Sequence, residues 1–503
     1  MPKGEEKGMV SMKKLFKGAL ALALAGICAI APLTGCEKKD SASTTIHWYM
    51  VKPIDTMEHQ EEIEKLANEK FEKECGVKVK FHFLDNAAWD DKMNVMINSG
   101  EEFDICFTAS WTNKFIDNAR KGAFLDISDL LDEYGQDIIA KSDPRVWDAV
   151  TLDHKIYAIP SQAPMSSSSS IVYKKDLVEK YNFDYKSVKT LKDLEPFLKA
   201  IKENEPGVTP MLQTASGGIA GYISNEYTDD QIKGLDFSES QQKFVNVAEL
   251  PGTVERWQTL SDFYKKGYIP ADAATRTEYL ADAKTGKYAV LKPTGAYTET
   301  GEKSSTQYGF PCVETYMGNS SISNGVVTSS MSAISSTSKH PEEAMKVLNL
   351  VWKDSDLSNL LAYGLEGVDY VIDEERSTDE MKSIIPNAGK DQKWAIWHNN
   401  LGPLWDQWDS SWNRKEALEQ MQAENQRAIV ASTLGFYFDP SNVSAEYAAV
   451  ASTVKEYTAN LNVGCVADVD AYIEEYRAKL KQNGIDKLIE EANRQYDEWK
   501  ANK

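Results

Sequence analysis

The sequence predicts an α/β protein, because two long stretches of the chain alternate strand-like and helix-like segments. Residues 77–83 (VKVKFHF) alternate apolar and polar side chains with a period of two, as a strand covered on one face does. Residues 58–73, just before them, place their apolar side chains on one helical face. Strand and helix in turn are typical of helices packed on a mostly parallel sheet.

The first alternating stretch continues to about residue 122. Helical spacing returns at residues 89–97 and ends at Gly100, and residues 103–107 (FDICF) form a short apolar strand. A further helix is predicted at residues 115–119, and Gly122 ends it. These elements are enough for one α/β layer.

The second stretch begins at residue 156. The pattern predicts strands at residues 156–159, 171–173, 287–291 and 326–334, with helices through Leu177 and at 191–201 between them. Pro341 and two following glutamates start another helix, since proline and acidic residues are favoured in a first turn. From about residue 394 the chain is predicted to be largely helical, ending with helices at 469–481 and 485–499.

The N-terminal segment indicates where the protein is located. Lysines at positions 13, 14 and 17 precede an apolar run over residues 18–31, which is too short for a bilayer span of about 20 residues. The following Leu-Thr-Gly-Cys at residues 33–36 resembles a bacterial lipobox. We therefore expect a signal peptide at residues 1–35, a lipid on Cys36 and a flexible tether at 36–44. Two acyl chains would hold the protein on the extracellular face of the cell membrane.

Composition excludes several classes of function. Loss of residues 1–35 removes five lysines and two glutamates, which leaves a net charge of −24 on 468 residues. Such an acidic body repels nucleic acid, so no nucleic-acid partner is expected. The cysteines lack metal-site spacing and no catalytic motif stands out. We therefore expect no cofactor, no metal and no enzymatic activity.

Four segments in order resemble a known family. They are residues 89–107 (WDDKMNVMINSGEEFDICF), 155–160 (KIYAIP), the run from Met331 to Gly367, and 434–440 (LGFYFDP). Together they resemble the family 1 extracellular solute-binding proteins of bacterial ABC importers, in the long Gram-positive lipoprotein branch with a DUF3502-type C-terminal domain. Residues 397–400 (WHNN) depart from the Gly-Asn-Gln-like stretch that the family would place there.

The resemblance implies a two-lobed fold of the type II periplasmic-binding-protein kind, with a hinge between the lobes and a helical C-terminal extension. On that basis we expect lobe 1 at residues 45–159 and 312–350. Lobe 2 is expected at 160–311 and 351–503, of which about 390–503 forms the helical DUF3502-like region. Small ligands bind in clefts at the carboxyl ends of the strands in such α/β lobes.

A sugar presents apolar C–H faces and a ring of hydroxyls, so its site needs aromatic plates and planar polar groups. Trp111 is the strongest candidate because it directly follows a buried strand. Its alternative is a lid over the core. The other candidates of lobe 1 are Trp48, Lys52 and Asp85, whose alternatives are core packing, solvation and helix capping. Gln162 is a further candidate just past the expected hinge.

The remaining candidates lie later in the chain. Tyr222 and Tyr297 are expected on loops of the second lobe, and the tryptophans near residue 400 are expected mainly in a packed helical stripe, with Trp397 or Trp405 the exceptions. Tyr363 and Glu366 share one segment, in which the carboxylate could accept hydroxyls, and Phe436 and Asp439 are proposed from the family's pattern.

These observations lead to one functional hypothesis. The chain is expected to be a monomeric, lipid-anchored subunit that captures an oligosaccharide and delivers it to the membrane permease of an ABC importer. Three alternatives stay open at this point: the same fold with a peptide or another polar metabolite as ligand, a surface glycoside hydrolase, and a sensor that presents its ligand to a receptor.

Overall fold

The computed structural model describes residues 44–162, 166–219, 232–293, 300–388, 391–411 and 413–503. The strands are β1 (Thr45–Val51), β2 (Lys78–Leu84), β3 (Ile105–Thr108), β4 (Thr151–Leu152), β5 (Lys155–Ile156), β6 (Ile159–Pro160), β7 (Ser167–Lys174), β8 (Thr209–Met211), β9 (Leu235–Ser238), β10 (Lys243–Asn246), β11 (Tyr288–Leu291), β12 (Cys312–Ile322), β13 (Met331–Ile334), β14 (Tyr370–Ile372), β15 (Ser383–Pro386), β16 (Asp409–Ser410) and β17 (Ile429–Val430).

The α-helices are α1 (Gln60–Cys75), α2 (Asn86–Ser99), α3 (Phe115–Arg120), α4 (Ser128–Tyr134), α5 (Gln136–Lys141), α6 (Lys175–Lys180), α7 (Glu195–Asn204), α8 (Pro251–Lys265), α9 (Tyr279–Lys284), α10 (Glu302–Tyr308), α11 (Asn324–Val327), α12 (Pro341–Lys353), α13 (Ser355–Tyr363), α14 (His398–Leu401), α15 (Lys415–Arg427), α16 (Ser444–Leu461), α17 (Val469–Gln482) and α18 (Ile485–Asn502). In the part of the chain that the structure describes, none of them has the length and apolar character of a membrane span.

The first lobe is built on a sheet with strand order β2-β1-β3-β13-β6. Strand β1 runs parallel to β2 and β3, and β13 runs antiparallel to β3 and β6. One face of this sheet packs against α1, α12 and α13, and the other against α2 and α3. The carboxyl ends of β1, β2, β3 and β6 consequently lie at one edge of the sheet.

The second lobe is built on a sheet with strand order β17-β12-β7-β11-β8. Strand β7 runs antiparallel to β11 and β12, while β8 runs parallel to β11. The carboxyl ends of β8 and β11 therefore lie at the edge where β7 begins. Because β7 follows β6 after a short crossing segment, this edge faces the strand ends of the first lobe.

Three connections between described elements link the two lobes. The first joins β6 to β7, and the second runs from β12 through α11 to β13. The third runs through α15 to β17 from β16, which belongs to a small sheet with strand order β14-β15-β16 that packs on the first lobe. A small apolar cluster where they meet contains Val146, Ile322, Val327, Ala428 and Leu434. Hinge motion in two-lobed proteins is absorbed by a few connecting residues of this kind.

The C-terminal helices form a third core. Helices α16, α17 and α18 pack around the β9–β10 hairpin, Trp257 of α8 and Phe436. Val463, which follows α16, reaches into the core of the second sheet. A helical C-terminal region is therefore present and attached to the second lobe, but it is formed by α16, α17 and α18 and begins later than the predicted boundary at about residue 390, since Trp394, Ile396 and Leu401 are buried in the core of the first sheet.

The structure corrects two of the predicted lobe boundaries. Strand β12, placed in lobe 1 from the sequence, pairs with β7 in the second sheet. The buried apolar side chains between Val351 and Leu401, a range placed in lobe 2, pack in the core of the first sheet. The reason is that α13 continues from α12 on the same face of that sheet, a long-range packing that no local pattern reveals.

Candidate functional site

The candidate site is the edge of the first sheet where four strands end. Lys52 follows β1, Asp85 follows β2, Trp111 comes shortly after β3, and Ser161 follows β6. Loops at the carboxyl ends of parallel strands are where α/β proteins bind small ligands. Three of these four residues, Lys52, Asp85 and Trp111, are ligand contacts predicted from the sequence.

Trp111 is held in place but keeps much of its ring accessible. Its side chain is 57% exposed, and its Nε1 donates a hydrogen bond to the carbonyl of Ser329 at 2.9 Å. The ring lies 6.1 Å from that of Phe107 on β3, and the backbone N–H of Ser110 donates to Thr328 at 2.7 Å. The indole is therefore a fixed aromatic plate facing solvent.

Trp397 is a second exposed aromatic plate, attached to the same segment of the chain. It is 50% exposed and immediately precedes α14. The hydroxyl of Ser330 donates to the carbonyl of Asn399 in α14. Because Ser330 adjoins Ser329, which holds Trp111, neighbouring residues of one crossing segment support the loops that carry the two tryptophans.

His398, next to Trp397, anchors this loop from the inside. Its ring is buried, and its Nε2 lies 3.3 Å from Oδ1 of Asn359. Burial lowers the pKa of His398 to about 3, because the charged form loses its hydration. The imidazole is therefore neutral at physiological pH and donates to Asn359 from Nε2.

Charged candidates at the edge occur as ion pairs. Lys52 Nζ lies 3.4 Å from Asp85 Oδ1, with the aspartate largely exposed. Glu366, on the turn after α13, is also exposed and lies 3.3 Å from Lys382. Both pairs can exchange their internal contact for a polar ligand at low cost, since exposed ion pairs contribute little stability.

The structure brings Gln162 and Trp405 together in a pocket of about 310 Å³, which we call the hinge pocket. Gln162 Nε2 donates to the carbonyl of Lys141 at 2.6 Å, and its Oε1 accepts from the Trp405 backbone N–H at 3.1 Å. The pocket is lined by Lys141, Ser142, Asp143, Val146, Pro160, Ser161, Gln162, Trp352, Trp405, Gln422, Asn425 and Gln426.

Charges around the hinge pocket are compensated. Lys141 Nζ lies 2.6 Å from Asp406 Oδ2. The Arg145 guanidinium donates to both carboxylate oxygens of Asp143 and lowers the pKa of that carboxyl. Neutral amides and hydroxyls therefore set the character of the pocket interior, which suits a neutral polar ligand better than an ion.

Three predicted contacts are wrong because their side chains are buried in cores. Trp48 is 0% exposed and packs beside Phe81 on the inner face of the first sheet. Tyr363 is buried within hydrogen-bond distance of Gln407 and Ser410. Phe436 is 2% exposed among aromatic rings of the C-terminal core.

Asp439 has a structural role instead of the predicted one. Its Oδ1 accepts hydrogen bonds from the Ser441 N–H at 3.0 Å and from the Ser441 hydroxyl, and so caps a 3-10 turn at Pro440–Val443. These bonds lower the pKa of the Asp439 carboxyl. It lies before the C-terminal helices, away from the strand ends.

Three further predicted residues, Cys36, Tyr222 and Tyr297, lie outside the described residues. In the second lobe the structure describes Lys292, which follows β11 and whose Nζ lies 4.5 Å from the ring centre of Tyr279. Among the described residues, no group of three or more His, Cys, Asp and Glu side chains is arranged to hold a metal ion.

The serines and amides that complete the site were not predicted from the sequence. Ser329 and Ser330 support the exposed tryptophans through backbone and hydroxyl groups, which leave no pattern in a sequence. Gln422, Asn425 and Gln426 were recognisable in principle. Their spacing puts three amides on one face of a helix, since residues three and four apart are neighbours there.

Comparisons with known proteins agree with this architecture. The model of the bacterial extracellular solute-binding protein family matches residues 55–353, and that of a domain of unknown function, DUF3502, matches 432–501. A carbohydrate ABC transporter substrate-binding protein of Streptococcus pneumoniae serotype 4 (strain ATCC BAA-334 / TIGR4) is 30% identical over 502 residues. The match covers 98% of this chain and 99% of that protein.

Solved structures resemble the chain over most of its length. The N-glycan transport solute-binding protein NgtS of Streptococcus pneumoniae matches with a TM-score of 0.79 and 28% identity, over 90% of this chain and 98% of that one. Its complex with Man5GlcNAc matches with a TM-score of 0.67 and 28% identity, over 92% and 99%. An extracellular solute-binding protein of Bifidobacterium longum subsp. infantis shares the fold at 16% identity, over 90% and 98%, with a TM-score of 0.61.

Proposed function

Because this chain belongs to the bacterial extracellular solute-binding protein family, we propose that it captures an oligosaccharide between its lobes for an ABC importer. The family and its C-terminal domain are those expected from the sequence, so that prediction is confirmed. The related proteins bind transported substrates, and on that ground we propose that this chain releases its ligand unchanged.

The observation that carries the proposal is the pair of exposed tryptophans at the strand ends. Trp111 and Trp397 are the tryptophans that stand among the exposed large apolar side chains of the described residues. Exposing two indoles is costly unless a ligand covers them, since apolar burial is favourable. Sugars supply apolar C–H faces for such plates, and their hydroxyls match the polar groups of Lys52 and Asp85.

Two relatives support the choice of ligand class. The NgtS structures include complexes with Man1GlcNAc and Man5GlcNAc, and the relative from the same species is named a carbohydrate transporter component. We therefore take mannose- and N-acetylglucosamine-containing oligosaccharides as the first ligands to test. A peptide or another polar metabolite in the same cleft is the competing proposal.

The proposed mechanism follows from the two facing edges. An oligosaccharide lying on Trp111 and Trp397 also meets the strand ends of the second lobe, including Lys292. It stabilises the closed arrangement by the difference between its affinities for the closed and open forms. We propose that the monomeric chain, held on the extracellular membrane face through a lipid on Cys36, then delivers the ligand to the permease.

Calorimetric titration with Man1GlcNAc and Man5GlcNAc tests the proposal. We expect saturable binding to the wild type, weakened by about 1–3 kcal/mol in Trp111→Ala because stacking and apolar burial are lost. That corresponds to a dissociation constant roughly 5–150 times higher. Val95→Ala is the matched control, since Val95 is 61% exposed on α2, outside the strand ends.

Two outcomes contradict the proposal. The first is a folded wild type that binds neither oligosaccharide while another class of metabolite raises its melting temperature, since only a bound ligand stabilises the folded state by mass action. The second is cleavage of the oligosaccharide on prolonged incubation, which would establish a surface glycoside hydrolase. Equal affinity of wild type and Trp111→Ala would remove Trp111 from the site.

A further inference from the structure

We propose that the hinge pocket is a separate subsite that takes one terminal sugar unit of the bound oligosaccharide. This inference rests on the proposed function and adds a place for one end of the ligand. The pocket lies between the first lobe and α15, the helix of the third crossing segment.

Two buried hydroxyls in the pocket wall need a partner. In the part of the chain that the structure describes, the Oγ atoms of Ser142 and Ser161 are buried without a hydrogen bond. Ser161 as a whole is only 6% exposed. A buried hydroxyl without a partner costs free energy, so such groups usually meet a ligand or an ordered water. Both atoms are turned away from the open space of the pocket, so rotation of the serine side chains brings them to a sugar hydroxyl, which can donate to one and accept from the other.

Helix α15 supplies planar amides on the opposite wall. Gln422, Asn425 and Gln426 all line the pocket. Asn425 is fixed, because its Oδ1 accepts from both the N–H and the hydroxyl of Ser166, at 3.2 and 2.9 Å. Amides both donate and accept, so they match the vicinal hydroxyls of a pyranose.

The pocket also has a rigid floor and an aromatic wall. Both ends of the Gln162 amide are used internally, one on Lys141 and one on the Trp405 backbone, which holds the Trp405 loop in place. The half-buried Trp405 ring offers an apolar surface beside polar groups. This combination is typical of a site that binds a small polar molecule in one orientation.

Size and position favour a single sugar unit continuous with the main site. At about 310 Å³ the pocket is at the lower end of the roughly 300–1,000 Å³ of small-molecule sites. Ser161 of its wall donates its N–H to the carbonyl of Ser330 at 3.0 Å, and Ser329 next to it holds Trp111. A chain of sugars stacked on Trp111 therefore ends within reach of the pocket.

Titration of Man5GlcNAc and Man1GlcNAc against pocket variants tests the subsite. Ser161→Val replaces a hydroxyl by methyl groups that fill the pocket, and we expect at least a tenfold loss of affinity for Man5GlcNAc. Gln426 lies on the exposed side of α15, and alanine is compatible with a helix at this position. Gln426→Ala therefore still tests the subsite if Ser161→Val does not fold. We expect a loss of about three- to tenfold there.

Gln482→Ala, an exposed glutamine at the end of α17, is the matched control and keeps wild-type affinity. Unaltered melting temperatures show that the variants are folded. The subsite is overturned if Ser161→Val and Gln426→Ala bind Man5GlcNAc like the wild type while Trp111→Ala binds it weakly. In that outcome water fills the pocket and the proposed function stands. Absence of any oligosaccharide binding by the folded wild type overturns both.

Discussion

The strand ends of the first lobe and the C-terminal helical core are both rich in aromatic residues, yet they use them in opposite ways. In the C-terminal core Phe436 lies 5.6 Å from the ring centres of Phe244 and Tyr496 and 5.8 Å from that of Trp499. At the strand ends Trp111 has one ring neighbour, Phe107, among the described residues and stays half exposed.

The difference shows that the exposure of an aromatic residue depends on its place relative to strand ends, which a short motif around it does not indicate. Phe436 lies in the motif LGFYFDP, which suggested a ligand contact, but its surroundings are other rings. Trp111 lies just beyond a short buried strand, where the chain must turn outward. Its backbone is fixed by Ser110 and Thr328 while its ring remains open to a ligand.

The largest expected effect is on the free energy of unfolding, and it distinguishes the C-terminal core from the strand ends of the first lobe. Phe436→Ala removes a fully packed ring, and we expect it to lower the free energy of unfolding by about 3–5 kcal/mol, because a cavity replaces buried apolar contacts. Chemical denaturation measures this. The fraction that stays folded should bind oligosaccharide with wild-type affinity, whereas Trp111→Ala should leave stability within about 0.5 kcal/mol and weaken binding.

A reversed result would break the comparison. If Phe436→Ala left stability unchanged and lowered affinity, the C-terminal core would be part of the ligand site. If Trp111→Ala unfolded the protein, the exposed indole would be a structural element of the first lobe.

The second expected effect is a pH dependence of the free energy of unfolding, caused by His398 in the loop that carries Trp397. The pKa of buried His398 is lowered from an ordinary 6.5 to about 3. Between these two pH values His398 is protonated in the unfolded chain and neutral in the folded chain. The contribution of neutral His398 to the free energy of unfolding is complete above pH 6.5 and is lost as the pH falls toward 3. Between pH 7 and pH 5 the loss amounts to about 2 kcal/mol.

His398→Gln tests this assignment. The variant keeps an amide that can donate to Asn359, but it does not titrate, so its unfolding free energy should fall by about 2 kcal/mol less than that of the wild type over the same pH range. Parallel pH profiles of the two proteins would show that His398 is accessible to protons in the folded state.

Local patterns predicted local features well. The alternation at residues 77–83 gave β2 within one residue, and Trp111 was located correctly because a short apolar strand precedes it. Alternation along β1 places Trp48 and the following Tyr49 on opposite faces of the sheet, but it does not indicate which face is the core. The structure buries Trp48 under the helices, while Tyr49 stacks on His82 with ring centres 4.3 Å apart.

Long-range packing was beyond such patterns. The residues after α12 return to the first sheet because Leu357 and Leu361 of α13 pack in its core. The spacing of these leucines does not indicate which sheet the helix covers. The same holds for the hinge pocket, whose lining residues are spread along the chain from Lys141 to Gln426. Gln162 and Trp405 were chosen separately, and only the fold brings them together.

A smaller effect sharpens the structural assignment of Asp439. Asp439→Ala removes the cap of the turn at Pro440–Val443, and we expect a loss of about 1 kcal/mol in the free energy of unfolding. Because hydrogen bonds from Ser441 lower the pKa of this carboxyl, its contribution is present above the ordinary aspartate pKa of about 3.9 and is lost as pH falls below it. Oligosaccharide affinity should be unchanged, and a weakened titration would return Asp439 to the site.

The smallest expected effect is at the strand ends themselves, in the ion pair between Lys52 and Asp85. A double-mutant cycle of Lys52→Ala and Asp85→Ala should give a coupling energy of about 0.2–1 kcal/mol for stability, decreasing with salt, because the aspartate is largely exposed. Each single variant should affect oligosaccharide affinity more than stability, since the freed polar groups are available to sugar hydroxyls. A coupling energy above this range, with unchanged oligosaccharide affinity in both single variants, would show that the ion pair stabilises the fold and does not bind the ligand. Trp111 and Trp397 would then remain as the proposed ligand contacts at this edge.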